Sequence, residues 1–253
     1  VNQLEDTPSK KESIEDAWLL SKFNQTIEEV TNNYNQFRFP EVTQKLDNFL
    51  VNDLSRTYIQ ITRDRADETK KLLKEILIGT LKLFAPIAPF ITEKIWQELL
   101  ADKMVEEESI HLTDWPKLNK KKINLELEKN FDELLDLIEK GLAKRDSAKL
   151  GLKWPLASAN LTIKEDLPED LQEIIKSQLN AKEIKIKKGT ENLIELDTKL
   201  TPELESEGFA REISRSIQAA RKKAELVKTD IIELEIVSEF NDKLETQKEF
   251  IQE

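Results

Sequence analysis

Apolar residues recur every three or four positions through the first half of the chain and in short, partly alternating runs through the second. Leu20, Phe23, Ile27, Val30 and Tyr34 make one helical stripe, and Ser13 with Asp16 three residues later supplies acceptors for the free amides of a helix start. Pro40 suits the first turn of a second helix, where a missing N–H costs nothing. Val42, Leu46, Phe49, Leu50 and Leu54 carry that helix's apolar face on to Tyr58 and Ile61. A third helix is predicted over residues 68–84 through Leu72, Leu73, Ile76, Leu77 and Leu83. Pro86 and Pro89 cannot both lie inside an unbroken helix, so the chain must bend there. A fourth helix then starts near Pro89 and turns Phe90, Ile91, Ile95, Trp96 and Leu99 to a core. Residues 101–122 lack periodicity and contain Pro116, as a long surface connection would. A fifth helix, over residues 124–144, carries Leu127, Phe131, Leu134, Leu135, Ile138 and Leu142.

After Lys144 the period changes. Residues 156–163, 183–188, 193–197 and 229–237 have strand character, the last alternating Ile232, Glu233, Leu234, Glu235 and Ile236. Helices are predicted between them, over 168–180 and over 202–224 with Thr201 as N-cap. A last helical stretch from Asn241 ends without a capping signal, which predicts a longer polypeptide. The expected fold is mainly α, a helical bundle over residues 1–144 followed by a small α+β domain over 145–253.

Composition narrows the classes. With 35% charged residues, five glycines and no run near the roughly 18 apolar residues that a membrane span requires, the chain reads as helix-rich, with no membrane partner. The polar start over residues 1–12 carries no leader signal. The absence of cysteine excludes disulfides, thiolate zinc sites and a cysteine nucleophile, and fits a reducing compartment, by default the cytoplasm. No phosphate-binding GxxxxGK[ST] loop, dinucleotide fingerprint, HExxH helix or GxSxG elbow occurs, so no catalytic residue is expected. His111 is a single histidine and reads as structural, and Glu106, Glu107 and Glu108 read as a solvated loop. Trp96 lies on a core stripe, whereas Trp154, beside Pro155 and basic residues, can stack on an unpaired base.

The net charge of −11 argues against a uniformly basic RNA binder, but contact with phosphates depends on local patches. Between residues 140 and 153, Lys140, Lys144, Arg145, Lys149 and Lys153 face one acid, Asp146; between 211 and 228, six cations face Glu212 and Glu225. Arg211, Arg215 and Lys222 recur at intervals of four and seven on the predicted long helix, followed by Lys223. Arg56 and Arg63, seven apart, would share a helix face near Arg65. Such stripes release counterions on meeting RNA; the plainer alternative is pairing with neighbouring acids.

Four landmarks between residues 16 and 65 carry a resemblance: Trp18-Leu19-Leu20-Ser21, Phe37-Arg38-Phe39, Asp53-Leu54-Ser55 with Tyr58-Ile59, and Arg63-Asp64-Arg65. Together they resemble the start of the anticodon-binding domain of isoleucyl-tRNA synthetases. KLFAPIAPFITEKIWQEL, residues 82–99, looks like the APxxPFxxEExW signature shared with the valine and leucine enzymes, with Lys94 in place of the second acid. HLTDWP, residues 111–116, resembles the segment that follows it. Residues 144–156 and 203–236 look like the region after the bundle in the archaeal and eukaryotic kind.

The resemblance implies a C-terminal fragment that grips the anticodon stem and loop of tRNA for isoleucine. Its implied partners are that tRNA and the catalytic domain of the same polypeptide, which joins isoleucine to tRNA using ATP and Mg. No cofactor is implied for this chain itself: KLGLK, residues 149–153, is not a KMSKS loop, and the cysteines of a zinc module are absent. The expected tRNA-binding residues are Arg56, Arg63 and Arg65 in the bundle, and Arg145, Lys149, Trp154, Arg211, Arg215, Arg221, Lys222 and Lys223 beyond it. The family motif marks Arg63, Arg65, Arg145, Arg211 and Arg221. Two alternatives remain, the corresponding fragment of a valyl-tRNA synthetase, expected to end in a coiled coil, and a structural or protein-docking module.

Overall fold

The computed structural model describes residues 13–227, 230–234, 236 and 247. They fall into two compact units, Val1–Phe131 and Asp132–Glu253, with the division inside a long helix. In the first unit α1 (Ile14–Asn35) opens at Ser13, whose hydroxyl accepts from the amide of Asp16, while Glu15 and Asp16 complement the positive end of the helix dipole. Trp18, Leu19, Phe23, Ile27 and Val30 are buried along one stripe. A second stripe of small polar residues holds the returning chain. Ser21 donates to the buried Glu128 and accepts from the amide of Asn124 (2.8 Å), and Asn24 accepts from the amide of Asn119 (2.7 Å). Trp18 stacks on Phe131 at 4.8 Å between ring centroids.

The second expected helix is not one continuous α-helix. It begins as α2 (Phe39–Asn48), widens into a π-helical segment (Phe49–Tyr58) and closes as the single turn α3 (Ile59–Ile61). The amide of Ile59 bonds to the carbonyl of Leu54, five residues back, and the buried residues Phe49 and Leu54 are likewise five apart. A 3₁₀ turn (Arg63–Arg65) leads to α4 (Ala66–Phe84). There Gly79 lets the helix approach Phe23 so closely that a Cβ would lie 2.5 Å from the ring. The chain bends at Pro86, with the amides of Ile87 and Ala88 both on the carbonyl of Phe84, and α5 (Pro89–Ala101) starts on the second proline. Trp96 is buried with Ala85 and Ile110, and its indole N–H donates to the carbonyl of Glu107. The connection beyond α5 contains 3₁₀ turns at Ile110–Leu112 and Lys120–Lys122 and ends in α6 (Leu125–Ser147).

The second unit takes up the later turns of α6. β1 (Leu156–Ile163) is the central strand of a three-stranded sheet, parallel to β2 (Ala181–Lys188) and antiparallel to β3 (Leu193–Leu196). The register runs from Leu156 opposite Ala181 to Ile163 opposite Lys188, and from Ala159 opposite Leu196 to Thr162 opposite Leu193. The parallel crossover is α7 (Glu169–Gln178), whose Leu171, Ile174 and Ile175 are buried. Leu161, Ile163 and Ile194 are buried in the same unit. α8 (Pro202–Lys223) follows, capped by Thr201 as the sequence predicts. The strand expected over 229–237 does not form among the described residues 230–234 and 236, which have no ladder partner. The helical stretch expected from Asn241 lies outside the described residues, Gln247 excepted.

Candidate nucleic-acid interface

In the first unit Arg63 and Arg65 lie where α3 turns into α4, and Arg56 lies on the π-helical segment before it. The Arg65 guanidinium lies 2.6 Å from Asp16 Oδ1, 2.6 Å from Ser13 Oγ and 3.6 Å from Glu15 Oε2. Tyr58 donates its hydroxyl to the same Asp16 oxygen at 2.7 Å. Burial opposes ionisation of Asp16, but hydrogen bonds from Arg65 and Tyr58, the Arg65 charge and the Ser13 hydroxyl outweigh it and hold the carboxyl below its ordinary value. Burial, reinforced by the hydrogen bond to Asp16, pushes the Tyr58 phenol up. Arg65 thus clamps the turn to the start of α1, two residues from an exposed Arg63. Arg56 is also exposed and donates to Asn52 Oδ1, which lies 3.3 Å away. Because the backbone between them passes through π, α and 3₁₀ geometry, the seven-residue α-helical spacing does not apply to Arg56 and Arg63.

In the second unit Arg145 is buried, and its guanidinium donates to the carbonyls of Leu179 (3.0 Å), Gly151 (2.7 Å) and Trp154. Burial lowers its pKa, and its Nε is buried without an acceptor. Trp154 is half-buried, edge-on to Phe209 at 5.1 Å and over Gly208, where a Cβ would come 2.3 Å from the indole. Arg211 pairs with Glu207 at 2.7 Å on its own helix. Arg221 donates to the carbonyls of Val227 and Asp230 and so closes the end of α8. Lys149, Arg215, Lys222 and Lys223 point into solvent. Among the described residues these four have no side-chain partner that a phosphate would first displace, whereas Arg145 would have to abandon three carbonyls.

Comparison with known proteins decides the class. Residues 16–196 match the family model described as the anticodon-binding domain of tRNA ligase. The chain belongs to this family. Isoleucine–tRNA ligase of Pyrococcus abyssi is 37% identical over 186 residues, 68% of this chain and 17% of that protein. The Clostridium tetani ligase of the same name is 34% identical over 194 residues, 72% of this chain and 18% of its own length. For the Methanocella arvoryzae ligase the figures are 29% over 229 residues, 84% and 21%. The chain therefore spans about a fifth of the length of the relatives it matches.

This anticodon-binding domain also holds polar features that sequence reasoning missed. A cleft of about 440 Å³ is lined by Asp16, Asn24 and hydrophobic Leu20 of α1, by Lys71 and Glu75 of α4, and by Lys117 of the connection. Residues on three separate elements meet there, and the basic run at Lys120–Lys122 was its one visible trace in the sequence. Nothing in the spacing of Ser13, Asp16, Tyr58 and Arg65 marks them as one network. The only local sign is an ionisable residue placed on, or next to, each buried stripe. His111 lies 4.0 Å from Glu93 at the edge of the connection and is exposed.

Proposed function

We propose that this chain holds the anticodon stem and loop of isoleucine tRNA within an isoleucine–tRNA ligase. In that reading the ATP- and Mg-dependent attachment of isoleucine occurs in another part of the polypeptide, and no residue here is catalytic. The family match over residues 16–196 carries the proposal. The names of the relatives support isoleucine over valine. The exposed cations Arg56 and Arg63 in one unit, and Lys149, Arg215, Lys222 and Lys223 in the other, are the groups we assign to phosphates. Unpaired anticodon bases offer their edges and faces, so discrimination comes from polar groups near the loop and positioning from the cations. The test is a titration of the chain with isoleucine tRNA and with the same tRNA carrying an altered anticodon, each at low and moderate salt. Tighter, salt-sensitive binding of the unaltered tRNA is expected. Absence of binding to either at low salt would overturn the reading.

A further inference from the structure

We propose that the end of the first unit where α1 stops, α2 begins and α4 turns into α5 is a docking face for an apolar surface elsewhere in the same ligase polypeptide. The inference rests on the reading of the chain as one part of a ligase, and adds where that part is held. Phe37, Phe90 and Leu112 expose 79%, 90% and 71% of their surface there, and Phe39 and Trp115 expose 48% and 37%. These residues are tied together. The Tyr34 hydroxyl donates to the carbonyl of Leu83 at 2.9 Å, and its ring meets Trp115 edge-on at 5.6 Å and Phe39 at 6.2 Å. Phe37 stands edge-on to Phe39 at 6.3 Å, and the Trp115 indole N–H donates to Thr31. On the other side Glu93 accepts from Ser109 and from the amide of Ile110, which pins the turn bearing Leu112 to the first turns of α5. Phe90, three residues before Glu93, stands on the same side of that helix. An exposed apolar cluster of this extent marks a surface that meets another molecule or domain.

The backbone supplies a second observation. Phe37 adopts φ 57°, the left-handed position that ends a helix, with its amide on Tyr34 and the next amide, of Arg38, on Asn33. A side chain at that position is disfavoured, and the Phe37 ring recovers little burial inside the unit. The occupant follows from the charges. A face that stacks on RNA bases would be ringed by cations, but the exposed cations of these segments, Arg38, Lys94 and Lys117, are interspersed with as many exposed acids, Glu41, Glu98 and Asp114. The exposed Arg63 lies by the start of α1, separated from Phe37 by the 22 residues of that helix, about 33 Å at 1.5 Å each. The matched region is 17% and 18% of the length of two of these relatives, so polypeptide is available to cover the face.

Hydroxyl-radical footprinting of side chains tests this on the chain alone and on the intact ligase, each without and with tRNA. Oxidation of Phe37, Phe90, Leu112 and Trp115 several-fold slower in the intact ligase before tRNA is added is the expected result. Equal rates in chain and ligase would overturn it. Slowing that appears only on adding tRNA would assign the face to base stacking instead, and slowing in the chain alone that grows with its concentration would assign it to a second copy. Either outcome leaves the tRNA titration to stand or fail separately.

Discussion

Among the described residues, five with side chains, Phe37, Lys103, Lys149, Asn180 and Glu225, take positive φ, while none of the five glycines does. The glycines are spent instead on close approach, as at Gly79 under Phe23 and Gly208 under Trp154. Lys103 ends α5 with its amide on Leu100 and the next amide, of Met104, on Leu99, the arrangement that glycine fills most easily. Lys103→Gly is therefore expected to raise the unfolding free energy by about 0.5–1 kcal/mol, seen as a higher urea midpoint. A lower midpoint would show that the lysine side chain contributes more than its backbone costs. Arg145 works in the opposite direction. Replacing it by methionine keeps the bulk but leaves the carbonyls of Leu179, Gly151 and Trp154 unpaired, and a loss of about 2–4 kcal/mol is expected in the same measurement. Unchanged stability in Arg145→Met would free Arg145 for RNA.

At the scale of elements, the join between α1 and the π-helical segment carries two groups, Asp16 and Tyr58, whose titration couples it to pH. Asp16 is held below its ordinary value of 3.8 in the fold, so its stabilising contribution is complete above that value and is lost as pH falls through the lower folded one. Tyr58 is held above its ordinary value of 10, so its contribution is complete below pH 10 and is lost as the pH rises through the raised folded value. Urea unfolding across pH should therefore fall away at the acid end less steeply for Asp16→Asn than for the unmodified chain. Tyr58→Phe should cost about 1–2 kcal/mol near neutrality and flatten the alkaline limb. Identical acid limbs in the Asp16→Asn and unmodified chains would refute the clamp. Little of this join was legible in the sequence. Caps such as Ser13 and Thr201 and the bend at Pro86 are local, and they stand where the pattern put them. The π-helical widening was hidden because Leu50 offers an α-helical continuation from Leu46, although the buried residues step from Phe49 to Leu54. Asp16 and Arg65 are 49 positions apart, a pairing that only tertiary structure creates. The alternation at Ile232 and Leu234 read as a strand, but a strand needs a neighbour. Asp230 instead accepts from the amide of Val227, and Arg221 holds both carbonyls.

For the molecule as a whole, the proposed binding of a polyanion has to coexist with a net charge of −11, which favours exposed cations over those held by internal partners as the groups that meet phosphates. The structure separates the two kinds. Arg65 and Arg145 are enclosed by acceptors, while Arg63, Arg215, Lys222 and Lys223 are exposed. Each phosphate neutralised adds about 0.7–0.9 to the slope of log affinity against log salt, so the slope counts contacts independently of their strength. Arg63→Ala is expected to leave the urea midpoint where it was and to lower that slope by about 1 for isoleucine tRNA and for the altered anticodon alike. Arg65→Ala is expected to lower the midpoint first, because it removes the cation that donates to both oxygens of the Asp16 carboxylate. At a salt and temperature where the variant is still folded, its slope should match that of the unmodified chain. If instead Arg65→Ala shifts the slope and Arg63→Ala does not, the clamp opens when RNA binds, and Arg65 trades Asp16 for a phosphate.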